Sequence, residues 1–133
     1  MKIDGFVPAD DKIAFREGTT FTYETKYGNI VVIAKLAGDG NTGFIEAYTK
    51  ISDKHQRQQA LGAFGPEQAL KDLVRLYAEE VVIRWSTTIK SEGKAIEPDV
   101  ENFVELLSSQ ARRNVFQLFQ RDCGDLDNFR KKA

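Results

Sequence analysis

The stretch that decides the fold is residues 79–107, EEVVIRWSTTIKSEGKAIEPDVENFVELL. An apolar passage closes on Trp85, the only tryptophan of the chain, a polar passage with Gly93 and Pro98 follows, and a second apolar pattern starts at Val100. Upstream, Gly65-Pro66-Glu67 reads as a helix start. Proline suits the first helical position, where the amide has no intrahelical partner, and an acid suits the positive end of the helix dipole. Leu70, Leu73, Val74, Tyr77 and Val81 then recur on one face, so the spacing predicts a helix over 66–85. Leu76, Ile83 and Trp85 lie off that stripe, so this helix is either sandwiched between other elements or presents an apolar contact surface.

Downstream, Pro98 opens a helix over 98–108 with Asp99 and Glu101 in its first turn and a stripe of Val100, Phe103, Val104 and Leu107. Residues 110–122 continue with Ala111, Val115, Leu118 and Phe119 on a core face, which leaves Phe116 off it, and Gly124 is placed to end the helix in a left-handed conformation. Residues 125–133 read as a frayed tail. On the N-terminal side, residues 12–36 read as strands: Ile13 and Phe15 share one side of KIAF, Phe21 and Tyr23 alternate with polar residues, and IVVIAKL is β-branched and apolar. Gly18 and Gly28-Asn29 supply turns. After AGDGN, Asn41 is a helix N-cap, and Phe44, Ala47, Tyr48 and Ile51 form the stripe of a helix over 42–58. The fold class is α+β, a single domain over 1–133: a small N-terminal antiparallel β-meander followed by about four α-helices, predominantly helical.

Composition narrows the function. The 133 residues carry 19 basic and 20 acidic side chains for a net charge of −1, without the positive surplus that phosphate neutralisation asks for. The longest apolar run is five residues, Ile30 to Ala34, far short of a membrane span. The acidic residues of MKIDGFVPADDK do not suit a signal peptide, and the expected location is the cytoplasm. No nucleic-acid or membrane partner is expected.

Reactive machinery is sparse. The single histidine, His55, sits among polar residues and reads as a surface side chain, and no His/Cys/Asp/Glu cluster has metal-ligand spacing. Cys123 has no second thiol to pair with and reads as a semi-buried structural cysteine rather than a nucleophile. Gly38, Gly40 and Gly43 meet the letter of GxGxxG after a strand, but no βαβ unit follows and the P-loop Gly-Lys-Ser/Thr ending is absent. A nucleotide-binding enzyme using residues 37–43 is therefore a distant alternative to a strand-to-helix turn. No catalytic residue, metal or cofactor is expected.

The order of signals resembles the tail assembly chaperones of long-tailed phages. The resemblance runs over roughly residues 20–130 and rests on three features: IVVIAKLAGDGNTGFIEAYTKI, a strand, break and helix; Trp85, Gly93, Pro98, Asp99, Asn102, Leu106 and Leu107 in VIRWSTTIKSEGKAIEPDVENFVELL; and a closing helix followed by Phe129. Ile83-Arg84-Trp85 departs from the more usual glycine before the tryptophan, and Glu97 stands where a serine cap is common. The resemblance implies a non-enzymatic protein of the host cytoplasm, absent from the finished particle. Such a protein binds the tape measure protein, helps recruit tail tube protein, in part through a longer frameshifted form, and self-associates. Leu76, Ile83, Trp85, Phe116 and Phe129 are then the candidate partner contacts. Another phage structural or adaptor protein, a head–tail connector or host-takeover adaptor, is the runner-up.

Overall fold

The computed structural model describes Asp4 and residues 9–130. Strands β1 (Thr19–Thr25) and β2 (Gly28–Ala34) form a hairpin. Helices α1 (Thr42–Ala60) and α2 (Pro66–Glu80) follow, and β3 (Val82–Thr87) returns antiparallel to β2. A two-residue-strand hairpin, β4 (Lys90–Ser91) and β5 (Lys94–Ala95), leads into α3 (Val100–Ser108) and α4 (Arg113–Gly124). The main sheet has the order β1-β2-β3. The α+β class with helical predominance is as the sequence predicts.

The helix expected over 66–85 ends at Glu80, and Trp85 lies on a strand. The reason is local. Val81, Val82 and Ile83 are β-branched, which is costly in a helix and well suited to a pleated surface. The free edge of β2 supplies the partner: Val32 pairs with Trp85 and Ile33 with Arg84, with a bulge where Ala34 meets Val82. Ile83 and Trp85 fall off the helical stripe because the period has changed from 3.6 to about two. Leu76 is off the stripe for the other reason foreseen, a sandwiched helix: α2 packs on α1 and on α3, and Leu76 is 2% exposed.

One face of the sheet is covered. Tyr23, Ile30, Val32, Ala34 and Trp85 point into a core completed by Val74, Tyr77, Phe103, Leu107, Phe116 and Phe119, while Thr20, Thr22, Arg84 and Ser86 on the other face are exposed. The rings meet edge to face: Trp85 on Phe103 at 5.5 Å, Phe103 on Phe119 at 5.9 Å and Tyr77 on Phe116 at 5.4 Å between centroids. This geometry sets positive ring edges against negative faces. In α4 the buried residues are Phe116, Phe119 and Cys123, and Leu118 is exposed, so the stripe is rotated from the expected one. The rotation follows from the helix starting at Arg113 after a 3₁₀ turn over Gln110–Arg112.

Three further expectations are corrected. KIAF is helical, not extended: Asp10 accepts from the backbone N–H groups of Lys12 (3.0 Å) and Ile13 (3.1 Å) and opens a short π-helical segment over Ile13–Glu17. Gly124 is the last residue of α4, and the chain leaves through an extended Asp125 rather than a left-handed glycine. Residues 126–129 form a 3₁₀ turn, not a frayed tail, and Phe129 is fully buried against Leu36 and Ala14. Its carbonyl accepts from the Asp10 N–H at 2.9 Å, and the Thr19 hydroxyl donates to the Asn128 carbonyl at 2.8 Å. The rest of that tail, residues 131–133, lies outside the described residues, as does most of the N-terminal segment read for a signal peptide.

Candidate partner-binding surface

Of the five candidate contacts, four hold the core. Leu76 (2% exposed), Trp85 (7%), Phe116 (1%) and Phe129 (0%) offer almost no surface to a partner in this conformation. Trp85 is fixed in three ways at once: it sits on β3, its ring meets Phe103 of α3, and its Nε1–H donates to the Asp99 carbonyl at 3.1 Å. Ile83 is half-buried, with its Cδ1 beside Gly18, where an added Cβ would come within 2.7 Å of it. The folded chain uses these side chains for its own packing.

The exposed large apolar side chains are others. Ile45 and Tyr48 are on α1 and Leu61 just follows it, Tyr27 is at the hairpin tip, and Val100, Leu118 and Leu126 are exposed singly further along the chain. Two concavities collect some of them. The first is a groove of about 370 Å³ between α1 and α2, where Tyr48, Ile51, Leu70 and Leu73 face across an open seam. Its distal wall is His55, half-buried rather than exposed, with Nε2 3.1 Å from Asp72 Oδ2 and its ring edge-on to Phe64 at 5.8 Å. Asp72 also accepts from Lys54 (3.2 Å) and Gln68 (3.1 Å). Burial works against its charge, yet the hydrogen bonds from His55, Gln68 and Lys54 outweigh it and hold the carboxyl below its ordinary pKa. The cluster joins the end of α1 to α2 and stiffens the groove.

The second concavity, about 840 Å³, lies at the hairpin tip. Tyr27, Ile89 and Val115 give it apolar walls, and Lys26, Lys90 and Arg112 line it with positive charge; Glu24 is the one carboxylate among its lining residues. Its shape depends on Gly28 (φ 141°), where a Cβ would come within 2.7 Å of Thr88 Oγ1 and 2.9 Å of the Ile89 N–H nitrogen. That close approach lets Asn29 exchange hydrogen bonds with Thr87 and Thr88 and brings Ile89 beside the tip. Tyr27 sits beside the Gly28-Asn29 turn, and the meeting of residues 26, 89 and 115 has no local sequence signal.

Other potential reactive groups are tied up. Cys123 is fully buried, and burial reinforced by neighbouring Asp122 pushes its thiol pKa strongly up, away from thiolate chemistry. Tyr23 donates to Asp122 Oδ2 at 2.8 Å, and burial together with that carboxylate raises its pKa too. In the glycine-rich turn, Asn41 caps α1 by accepting from the Phe44 N–H at 3.1 Å. A Cβ on Gly40 would run into the Phe15 ring and one on Gly43 into Glu80 Oε2. A phosphate at this helix start would face the Glu80 carboxylate, which disfavours the nucleotide alternative. Among the described residues no cluster of three or more His, Cys, Asp or Glu could hold a metal ion, and no helix is long and apolar enough to cross a membrane. Comparison with family models, curated proteins and solved structures finds no match to this chain.

Proposed function

We propose that this protein is a tail assembly chaperone of the long-tailed phage type, which holds amphipathic helical segments of a tape measure protein in solution while tail tube subunits gather. The observation that carries the reading is the open apolar groove between α1 and α2, bordered by exposed Tyr48. A groove between two helices takes the apolar face of a third by the usual helix-in-groove mode. The resemblance in sequence supports the same reading, and its residues work as a unit. Gly93 (φ 76°) turns the β4–β5 hairpin, Asp99 caps α3 through the Asn102 N–H at 2.8 Å and accepts from Trp85, and Leu106 and Leu107 are buried. The role proposed for Trp85 is thus to fix the frame, leaving α1 free to receive the partner. Host cytoplasm, absence from the finished particle, self-association and a longer form that reaches the tail tube protein belong to the same proposal.

Co-expression with the tape measure protein encoded near its gene tests this. The expected result is a soluble complex that the tape measure segment alone does not give. Tyr48→Glu, at the border of the groove and 49% exposed, is expected to weaken the complex by about tenfold with little change in melting temperature. A tape measure segment that precipitates equally with and without the chain refutes the proposal.

A further inference from the structure

The concavity at the hairpin tip has a chemistry that the α1–α2 groove lacks. Its lining combines apolar side chains from three separate parts of the chain with three cations. Among the described residues, none of Lys26, Lys90 and Arg112 makes an ion pair. Arg112 is nevertheless fixed, because its Nε–H donates to the Leu106 carbonyl and leaves the rest of the guanidinium to other partners. Lys26 lies 5.7 Å from the centre of the Tyr27 ring, and Tyr27 is 77% exposed. The carboxylates nearest in the lining are Glu24 and, in the adjoining cleft that shares Ile89, Lys90 and Arg112, Glu105.

We propose that this basin is a docking site for an acidic amphipathic helix, with an apolar side chain seated between Tyr27, Ile89 and Val115 and flanking carboxylates on Lys26, Lys90 and Arg112. Charge complementarity chooses the occupant. A local surplus of cations around an apolar floor is satisfied by carboxylates that straddle an apolar residue, and burying that residue excludes water from the ion pairs. Single-stranded nucleic acid is the weaker fit. It stacks on several rings in a cationic channel, whereas this site has one exposed ring, an aliphatic floor and a carboxylate in its lining. The inference stands apart from the phage reading, since it needs only the partner's charge and helicity.

The test uses a fluorescein-labelled synthetic helix of about four turns, with two leucines one turn apart and glutamates on both flanks. A second helix is identical except for lysine in place of glutamate. By anisotropy, the full chain is expected to bind the glutamate helix at least about tenfold more tightly than the lysine helix, and less tightly as salt rises. Lys26→Glu with Lys90→Glu is expected to remove that preference, and Tyr27→Ala to weaken binding. All three positions are exposed, so melting temperature should hold. Equal binding of the two helices overturns the proposal, as does a double variant that binds like the native chain. So does a labelled oligothymidylate that binds through Lys26 and Lys90 when the glutamate helix does not.

Discussion

Replacing Trp85 with alanine separates a core tryptophan from a contact tryptophan. The side chain is 7% exposed, faces Val32 across the sheet, meets Phe103 edge to face and donates to the Asp99 carbonyl. Truncating a buried aromatic to alanine costs about 3–5 kcal/mol, which already contains the lost ring–ring contact. The hydrogen bond adds less than about 1 kcal/mol, because Asp99 is exposed and water can replace the donor. For a domain of this size each 1 kcal/mol moves the melting temperature by roughly 3–5 °C, so a fall of about 10–25 °C is expected. Trp85→Phe keeps a ring against Phe103 and should cost only about 1–2 kcal/mol. Circular dichroism melts of the three proteins read this directly. An alanine variant that melts within about 2 °C of the native chain refutes the packing described here, since that is the behaviour of a surface residue.

Phe129→Ala should cost about 3–5 kcal/mol by the same melts, because the residue closes the small cluster with Leu36 and Ala14; a frayed tail would give less than about 0.5 kcal/mol. Asn41 caps α1 and also donates from Nδ2 to the Leu36 (2.9 Å) and Glu80 (3.1 Å) carbonyls. Asn41→Ala should therefore cost about 2–3 kcal/mol in chemical denaturation, and Asn41→Asp, which keeps the cap but sets a carboxylate against two carbonyls, should do no better. Stability should also fall in alkali. The Cys123 thiol and Tyr23 phenol have raised pKa values in the fold, so their contributions are full below the unfolded-state values and fade as pH rises towards the folded ones. The unfolded thiol ionises from about pH 8.5 and the phenol from about pH 10, each adding a slope of about 1.4 kcal/mol per pH unit. Cys123→Ala should remove the earlier slope and keep the later one in denaturation curves taken across that range.

Much of the fold was legible where a local signal and the tertiary outcome agree. Asn41 and Pro66 start helices as capping chemistry and proline geometry dictate, and Ile30, Val32 and Ala34 alternate as an inward strand face should, whereas α3 starts at Val100 with Asp99 as its cap and Pro98 outside it, not in its first turn. The failures have separate causes. A helix stripe running straight into a strand keeps its apolar content while its period changes, so Ile83 and Trp85 looked like a second helix face. Phe116 and Leu118 exchanged roles because the start of α4 sets the phase of its stripe, and a short 3₁₀ turn displaced that start. Phe129 was hidden because four residues are too few to show any period; only the fit of its ring against Leu36 reveals it. The basin was beyond reach for another reason. Lys26, Ile89 and Arg112 are far apart in sequence, and nothing local marks their meeting.

Hydrogen exchange on the domain, free and bound to the tape measure segment, tests most directly whether a partner is held from outside a closed fold. The expected pattern is added protection along α1 from Tyr48 to His55, which line the groove, with exchange from Leu76 to Trp85 unchanged. Faster exchange from Leu76 to Trp85 on binding would contradict it, because the domain would then be opening to present its core.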